Sequence, residues 1–268
     1  MADEEIVDPE EEDSEGGKPM GFLDHLEDLR WTLIKSVIAF GFFVSLIAYF
    51  LQESAWVLKW PLLQAAKSYP ELNSGLITTS PMSVFTVIIQ VCVLGGLILS
   101  LPFILFFIGQ FVSPALTRKE RKVILPAALA AIVLFVGGAT FSYFFIVPSA
   151  IKVSMQLNTV LGFTNLWSAD RYYSMLVWLV LGLGVTFEFP LIIVILVYLR
   201  IVDSKKLIRS WRIVVVVIFI VAAVVTPTPD PVTQTLVATP MLLLYVISVI
   251  VARTIEKRRA EAEEAEEE

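Results

Sequence analysis

The sequence predicts an all-α, polytopic membrane protein with six transmembrane helices. Its 268 residues are 57% hydrophobic with a mean hydropathy of +0.78, whereas soluble domains are about 45–50% apolar. Open sheets cannot satisfy their backbone in lipid, so long apolar blocks in one domain indicate helices. Six such blocks occur: Trp31–Leu51, Val84–Ile108, Val123–Val147, Ser174–Tyr198, Ile213–Val225 and Leu236–Ala252.

The first four blocks are long enough to cross a bilayer, since about 20 apolar residues span the hydrocarbon. Spans five and six are short, with 13 and 17 residues. At 1.5 Å per residue, span five reaches only about 20 Å of the ~30 Å hydrocarbon core. Either the bilayer thins around this pair or neighbouring helices shield it. The connection Thr226–Thr235 contains three prolines and predicts a tight hairpin.

The basic residues place both termini in the cytoplasm, since Lys and Arg are enriched in cytoplasmic loops. Sixteen of the 20 fall on one side of the predicted membrane: Lys18, Arg30, Lys35, Arg118, Lys119, Arg121, Lys122, Arg200, Lys205, Lys206, Arg209, Arg212, Arg253, Lys257, Arg258 and Arg259. The other side has Lys59, Lys67, Lys152 and Arg171.

The net charge of −6 comes from the chain ends, with nine acids in the first fifteen residues and seven after Arg253. This composition predicts three regions: an acidic tail over 1–20, a membrane domain over 21–255 and an acidic tail over 256–268, with both tails disordered. One cysteine excludes an intramolecular disulfide, and one histidine argues against a histidine metal site. Hydrolase and nucleotide-binding motifs are absent, so we expect no enzyme, catalytic residue or cofactor.

Two polar motifs flank the first two spans on the cytoplasmic side. The first, FLDHLEDLR over 22–30, spaces apolar residues as an amphipathic helix leading into span one. The second, FVSPALTRKERK over 111–122, surrounds the single acid Glu120 with four cations. Cations alone would satisfy a positive-inside loop, so the carboxylate is the residue that needs explaining.

Span four contains a lone carboxylate, Glu188, within LGVTFEFP over 183–190. A charge at membrane depth costs about 2.5–3.5 kcal/mol on insertion scales, which favours a functional role. Pro190 removes a backbone hydrogen bond nearby and predicts a bend. Gln234 and Thr226, near the outer ends of spans six and five, are candidate hydrogen-bond partners of this acid.

Together these segments resemble the TatC family, the multi-span subunit of the twin-arginine (Sec-independent) protein translocase. FLDHLEDLR, FVSPALTRKER, FEFP and TPTPDPVTQTLVATPM occur in the family's order with the family's topology, over about residues 20–255. The resemblance implies a receptor for the twin-arginine signal peptides of folded cargo, in the bacterial cytoplasmic (inner) membrane. It also implies export driven by the proton-motive force, single-span partners of the TatA and TatB type, and a homo-oligomer within a larger complex. Membrane lipid surrounds such a protein, and no nucleic-acid partner is expected.

The resemblance also implies roles for individual residues. Asp28 and Glu120 match the family's signal-peptide acids, with Glu27 able to share the role, and Arg30 closes the first motif. Phe111 and Pro114 fall where the family shapes the cytoplasmic loop, and Pro61 falls in its first periplasmic loop. Glu188 matches the intramembrane acid. Gln234, with Thr226, falls at a polar partner-docking position.

A second function stays open at the level of sequence, namely a proton-coupled secondary transporter of small molecules that uses Glu188. An acid near mid-membrane and proline-broken helices are features of such carriers. No inverted repeat is visible, however, and the cytoplasmic acids would have no role in a carrier.

Overall fold

The computed structural model describes residues 22–67, 75–115, 121, 123–163, 166–226 and 230–267. We number the α-helices of these ranges in chain order: α1 (Phe22–Tyr49), α2 (Leu51–Lys67), α3 (Pro81–Val112), α4 (Ile124–Phe141), α5 (Val147–Leu161), α6 (Ala169–Thr186), α7 (Phe189–Tyr198), α8 (Ser204–Arg209), α9 (Trp211–Val225) and α10 (Pro231–Glu267). Ser113–Ala115 form a 3₁₀ turn, and Ser142–Ile146 form a π-helical turn that joins α4 to α5.

The described helices confirm the predicted polytopic all-helical fold. Five continuous helical segments are long and apolar enough to cross a membrane, and α9 is a shorter apolar helix of 15 residues. We call the end of the bundle where α1 begins and α3 ends the terminal edge. The opposite end, where α1 ends and α3 begins, is the distal edge. Because the spans alternate in direction, α8 and the end of α10 lie at the terminal edge, and α2 and α5 lie at the distal edge.

Helix α6 forms the centre of the fold, where it packs against α3 and α4. Its residues Tyr172, Leu176, Leu179 and Leu183 are completely buried. Helix α1 packs almost entirely on α3 and buries little of its own surface. Gly96 permits this approach, because a Cβ atom there would lie 2.6 Å from Cγ2 of Val44.

Two reciprocal aromatic–glycine contacts hold α4 against α6. A Cβ atom added to Gly138 would lie 2.7 Å from Cγ of Phe187 and 2.8 Å from the carbonyl oxygen of Leu183. A Cβ atom added to Gly184 would lie 2.7 Å from Cε2 of Phe135. Each ring fills the space left by the other helix's glycine, so this crossing fixes the position of Phe187 and of the residue that follows it.

The segment around Pro61 at the distal edge is helical, although the family resemblance implied a loop there. Pro61, predicted in a loop, lies buried inside α2, which packs against α5. A single parallel β-bridge, Ile77 with Ser168, joins the two connections at this edge within the described ranges.

The last helix also departs from the sequence prediction. Helix α10 begins at Pro231, so part of the predicted proline hairpin is helical; residues 227–229 lie outside the described ranges. Helix α10 has 37 residues and is longer than the 17-residue apolar stretch predicted for span six. Helix α9, with 15 residues, is short as predicted for span five. The tail from 256 to 267 is helical rather than disordered. Ala, Glu, Lys and Arg are strong helix formers, and Lys257 pairs with Glu261 one turn on. The acidic N-terminal tail lies outside the described residues.

Candidate functional site

The first motif and the residue that opens the second motif meet at the terminal edge through one aromatic contact. The rings of His25, in the first turns of α1, and Phe111, at the end of α3, are stacked with centroids 4.5 Å apart and planes at 21°. The lead-in motif is therefore the beginning of α1 itself, and it lies against the segment that opens the second motif.

Asp28 follows His25 by three residues, so both lie on one face of α1. Asp28 is half-buried, whereas Glu27 and Arg30 are exposed. Within the described ranges, the Asp28 carboxylate has no hydrogen-bond or ion-pair partner. An acid on the face turned toward α3, with its oxygens uncommitted, can accept donors from a bound ligand.

The loop after α3 is closed by a hydrogen bond across its ends. Nε of Arg121 donates to the carbonyl oxygen of Ser113 at 2.8 Å. Pro114, half-buried, sits in the 3₁₀ turn that starts this loop. Glu120 lies outside the described residues. Its neighbour Arg121, however, is hydrogen-bonded to Ser113, the residue that directly follows α3.

Span four breaks where the sequence predicts a bend. Helix α6 ends at Thr186, α7 begins at Phe189, and Phe187 and Glu188 form the turn between them. Pro190 occupies the first turn of α7, where its missing N–H costs least. The Phe187 ring packed on Gly138 fixes this turn, so Glu188 is held in place by its neighbour.

Glu188 lines an apolar groove between the terminal-edge ends of α3 and α4 and the helix α7. The groove has a volume of about 380 Å³. Its walls include Ile108, Ala128 and Ile195, and Glu188 is the acidic residue among them. The groove therefore runs from the end of the span-two helix toward the break in span four.

One oxygen of Glu188 is left without a partner. Its Oε1 is buried and accepts no hydrogen bond within the described ranges. The predicted hydrogen bonds from Gln234 and Thr226 to Glu188 are not formed among the described residues. Nε2 of Gln234 donates to the carbonyl oxygen of Phe219 at 3.0 Å, and Oγ1 of Thr226 donates to that of Ala222 at 2.8 Å. The bond from Gln234 joins α10 to α9 at the distal edge, whereas the bond from Thr226 lies within the last turn of α9.

Pro61 belongs to a separate, distal cluster. Three tyrosine hydroxyls donate to carbonyl oxygens of α2 around this proline, from Tyr143, Tyr172 and Tyr173. The sequence alone did not single out these tyrosines or the stacking of His25. For Tyr143, the sequence did contain one signal: Pro61 lies four residues after Val57 and so leaves the Val57 carbonyl without its helical donor. Among the described residues, no group of three His, Cys, Asp or Glu side chains could hold a metal ion.

The fold defines a multi-span, all-helical membrane protein with a half-buried acid at its terminal edge and a carboxylate at the break in its fourth span. Residues 24–240 match the family model described as Sec-independent protein translocase protein (TatC). The chain therefore belongs to the TatC family.

Named relatives and solved structures agree with this assignment. The chain is 34% identical over 251 residues to a Sec-independent protein translocase protein TatC from Aquifex aeolicus, covering 92% of this chain and 100% of that one. It is 30% identical over 262 residues to the Koribacter versatilis protein of the same description, covering 93% of each.

The fold is similar to that in a crystal structure of the twin arginine translocase receptor TatC. The TM-score is 0.71 at 34% identity, over 87% of this chain and 99% of that one. A second structure of that receptor, in the detergent DDM, gives 0.73 at 35% identity, over 85% and 99%. Nothing in these matches supports the alternative of a small-molecule carrier.

Proposed function

We propose that this protein is the signal-peptide receptor and core subunit of a twin-arginine translocase. It exports folded proteins and draws on the proton-motive force. The observation that carries the proposal is the half-buried carboxylate of Asp28, which has no partner among the described residues. It lies on the face of α1 that the stacking of His25 on Phe111 holds against the end of α3. Family membership and the similarity to a twin arginine translocase receptor support it.

The chemistry of the ligand follows from the donors and acceptors. Guanidinium is planar, always charged and able to meet a carboxylate with two parallel hydrogen bonds, which an ammonium cannot do. Two consecutive arginines present two such groups on a short peptide. We assign one to Asp28 and one to Glu120, with Glu27 available at the exposed side of the same turn.

Other residues of the edge shape this site. Arg121 fastens the loop to Ser113, and Pro114 sets the turn that precedes Glu120. Phe111 supplies the surface on which His25 rests. Exposed Arg30 and the neighbouring cations repel basic peptides that lack the cognate geometry, because like charges at an interface are unfavourable.

The charge distribution supports a cytoplasmic location for the terminal edge. The described basic residues there include those of α8 and of α10 beyond Arg253, whereas the distal edge has few. By the positive-inside rule, both termini then lie in the cytoplasm and the protein resides in the inner membrane with its distal edge in the periplasm.

Partner binding is assigned to the polar groups within the membrane. Gln234 links α10 to the short helix α9, and Thr226 ends that helix, so we assign this hairpin as the docking surface for single-span subunits of the TatA and TatB type. Glu188, whose Oε1 has no partner among the described residues, offers an acceptor in the groove to a donor on a partner or passenger. Assembly into a homo-oligomer with these partners completes the translocase.

Peptide binding to the purified protein tests the receptor function directly. A labelled peptide containing Arg-Arg should bind, and the same peptide with Lys-Lys should bind at least about tenfold more weakly. Removing one acid of a partly buried charge pair costs about 2 kcal/mol or more, or roughly 30-fold in Kd. Asp28→Asn and Glu120→Gln should each show this loss and abolish the preference for arginine.

Glu53→Gln is the matched control, because Glu53 is an exposed acid at the distal edge. It should leave both affinity and preference unchanged. Equal binding of the two peptides by the parent protein would overturn the receptor assignment.

A further inference from the structure

Pro61 interrupts the hydrogen bonding of α2 at one defined acceptor. In an α-helix, the N–H of residue 61 would donate to the carbonyl oxygen of Val57, but proline has no N–H. The proline ring also crowds that carbonyl and tilts it away from the helix axis. Val57 is therefore left with a carbonyl oxygen that needs a donor from outside the helix.

The hydroxyl of Tyr143 supplies that donor. It lies 2.5 Å from the carbonyl oxygen of Val57. Tyr143 belongs to the π-helical turn Ser142–Ile146, which carries an extra residue relative to an α-helical turn and so re-aims the side chains that follow α4. Trp60 packs on the same turn, stacked on Tyr143 at 5.7 Å and edge-on to Phe144 at 4.9 Å.

Two neighbouring tyrosines make similar bonds with an important difference. The hydroxyl of Tyr172 donates to the carbonyl oxygen of Leu58 at 2.7 Å, and that of Tyr173 donates to the carbonyl oxygen of Ala55 at 3.0 Å. Those carbonyls face Leu62 and Lys59 one turn on, and both residues have backbone N–H groups. Only the bond from Tyr143 replaces a missing amide.

We propose that Pro61 and Tyr143 form a matched pair of positioning residues, in which the proline frees a carbonyl and the tyrosine hydroxyl takes the place of the amide. The pair fastens the distal helix α2 to the third span at its π turn. Ser142, the first residue of that turn, lies one helical turn after Gly138, which receives the ring of Phe187. The fastening thus sets the register of the span that positions Phe187 and Glu188. It is independent of the proposed receptor function.

The pairing predicts that the effect of Tyr143→Phe depends on whether residue 61 is proline or alanine. In the parent protein, Tyr143→Phe leaves the Val57 carbonyl unpaired while keeping the ring against Trp60. A net hydrogen bond corresponds to a roughly 2- to 13-fold change in an equilibrium, so amides of α2 should exchange faster by about that factor. With Pro61→Ala, the new N–H satisfies Val57, and Tyr143→Phe should then change exchange by less than about twofold.

Hydrogen–deuterium exchange of residues 51–67, measured by mass spectrometry on the full-length protein in detergent, gives the readout. Tyr172→Phe is the matched control, since its acceptor does not depend on residue 61. Its effect should be equal in the parent protein and in the Pro61→Ala background.

Two results would overturn the pairing. One is an equal cost of Tyr143→Phe in both backgrounds, and the other is no cost in the parent background. If Tyr143→Phe alone yields no folded protein, the proposal requires the double variant with Pro61→Ala to recover folding, and failure to recover it would also contradict the pairing.

Discussion

The imidazole of His25 lies stacked on the ring of Phe111, although 86 residues separate them in the chain. Through this contact the first turns of α1 are held against the end of α3. The first motif and the start of the second motif thus share one edge, and the face of α1 that carries His25 also carries Asp28.

Removal of this stack should weaken binding of an Arg-Arg peptide without unfolding the protein. Stacked ring pairs contribute about 0.5–1.5 kcal/mol beyond their buried area, so His25→Ala should raise Kd by roughly 2- to 13-fold. His25→Phe keeps a ring in place and should retain parental affinity. Titration of labelled peptide into the purified variants measures this. Equal loss in both variants would show that the imidazole itself, rather than the stack, is required.

The contact between Phe187 and Gly138 should make Gly138 intolerant of any side chain. Gly138→Ala places a methyl group 2.7 Å from the Phe187 ring, and overpacking of this kind costs about 1–3 kcal/mol. Gly137→Ala is the matched control, because no described residue beyond its own helical turn comes within 4 Å of the added Cβ. Thermal unfolding in detergent should show a lower Tm for the first variant and an unchanged or higher Tm for the second. Equal Tm values would contradict the close packing of α4 on α6.

Substitutions of Glu188 separate a hydrogen-bonding role from proton exchange. Gln keeps an acceptor oxygen in the groove but cannot exchange a proton, whereas Ala removes both. If Glu188 acts as an acceptor, Glu188→Gln should retain most export of a twin-arginine passenger and Glu188→Ala should lose it. Cell fractionation of a folded reporter gives the measurement. Loss of export with Gln as well as Ala would instead favour proton exchange through this residue.

Glu256 should stabilise the connection between spans four and five. Its Oε1 accepts the backbone N–H of Ser204 at 2.7 Å, and its other oxygen accepts the Ser204 hydroxyl, so it caps α8 from another helix. Glu256→Ala should increase hydrogen exchange of the amides at 204–209 by about 2- to 13-fold, the range for a lost hydrogen bond. Glu261→Ala removes only an exposed ion pair with Lys257 and should have little effect.

Hydropathy and proline positions predicted the spans and the break beside Glu188, because these depend on local composition. The contacts that position the sites could not be predicted in this way. Gly137 and Gly138 are adjacent glycines, yet only Gly138 faces Phe187, and helical phase alone did not select between them. The donor for the Val57 carbonyl depends on a π turn 86 residues away along the chain.

The acidic C-terminal tail shows the opposite error. Its charge predicted disorder, but α10 continues to Glu267. Once a long membrane helix has nucleated, each added residue costs little, and alanine and glutamate favour propagation. The prediction that Gln234 and Thr226 pair with Glu188 was wrong for a different reason. Both residues lie in the α9–α10 hairpin at the distal edge, and sequence spacing contains no information about how far that hairpin lies from Glu188.

Export by a double-neutral variant tests the central proposal most directly. Asp28→Asn combined with Glu120→Gln removes both carboxylates assigned to the arginines while keeping side-chain size. Secretion of a folded twin-arginine reporter should fall to background, with the variant present in the membrane at parental levels. A control that neutralises Glu53 and Glu261 together should export normally. Parental secretion by the Asp28→Asn/Glu120→Gln protein would contradict the account.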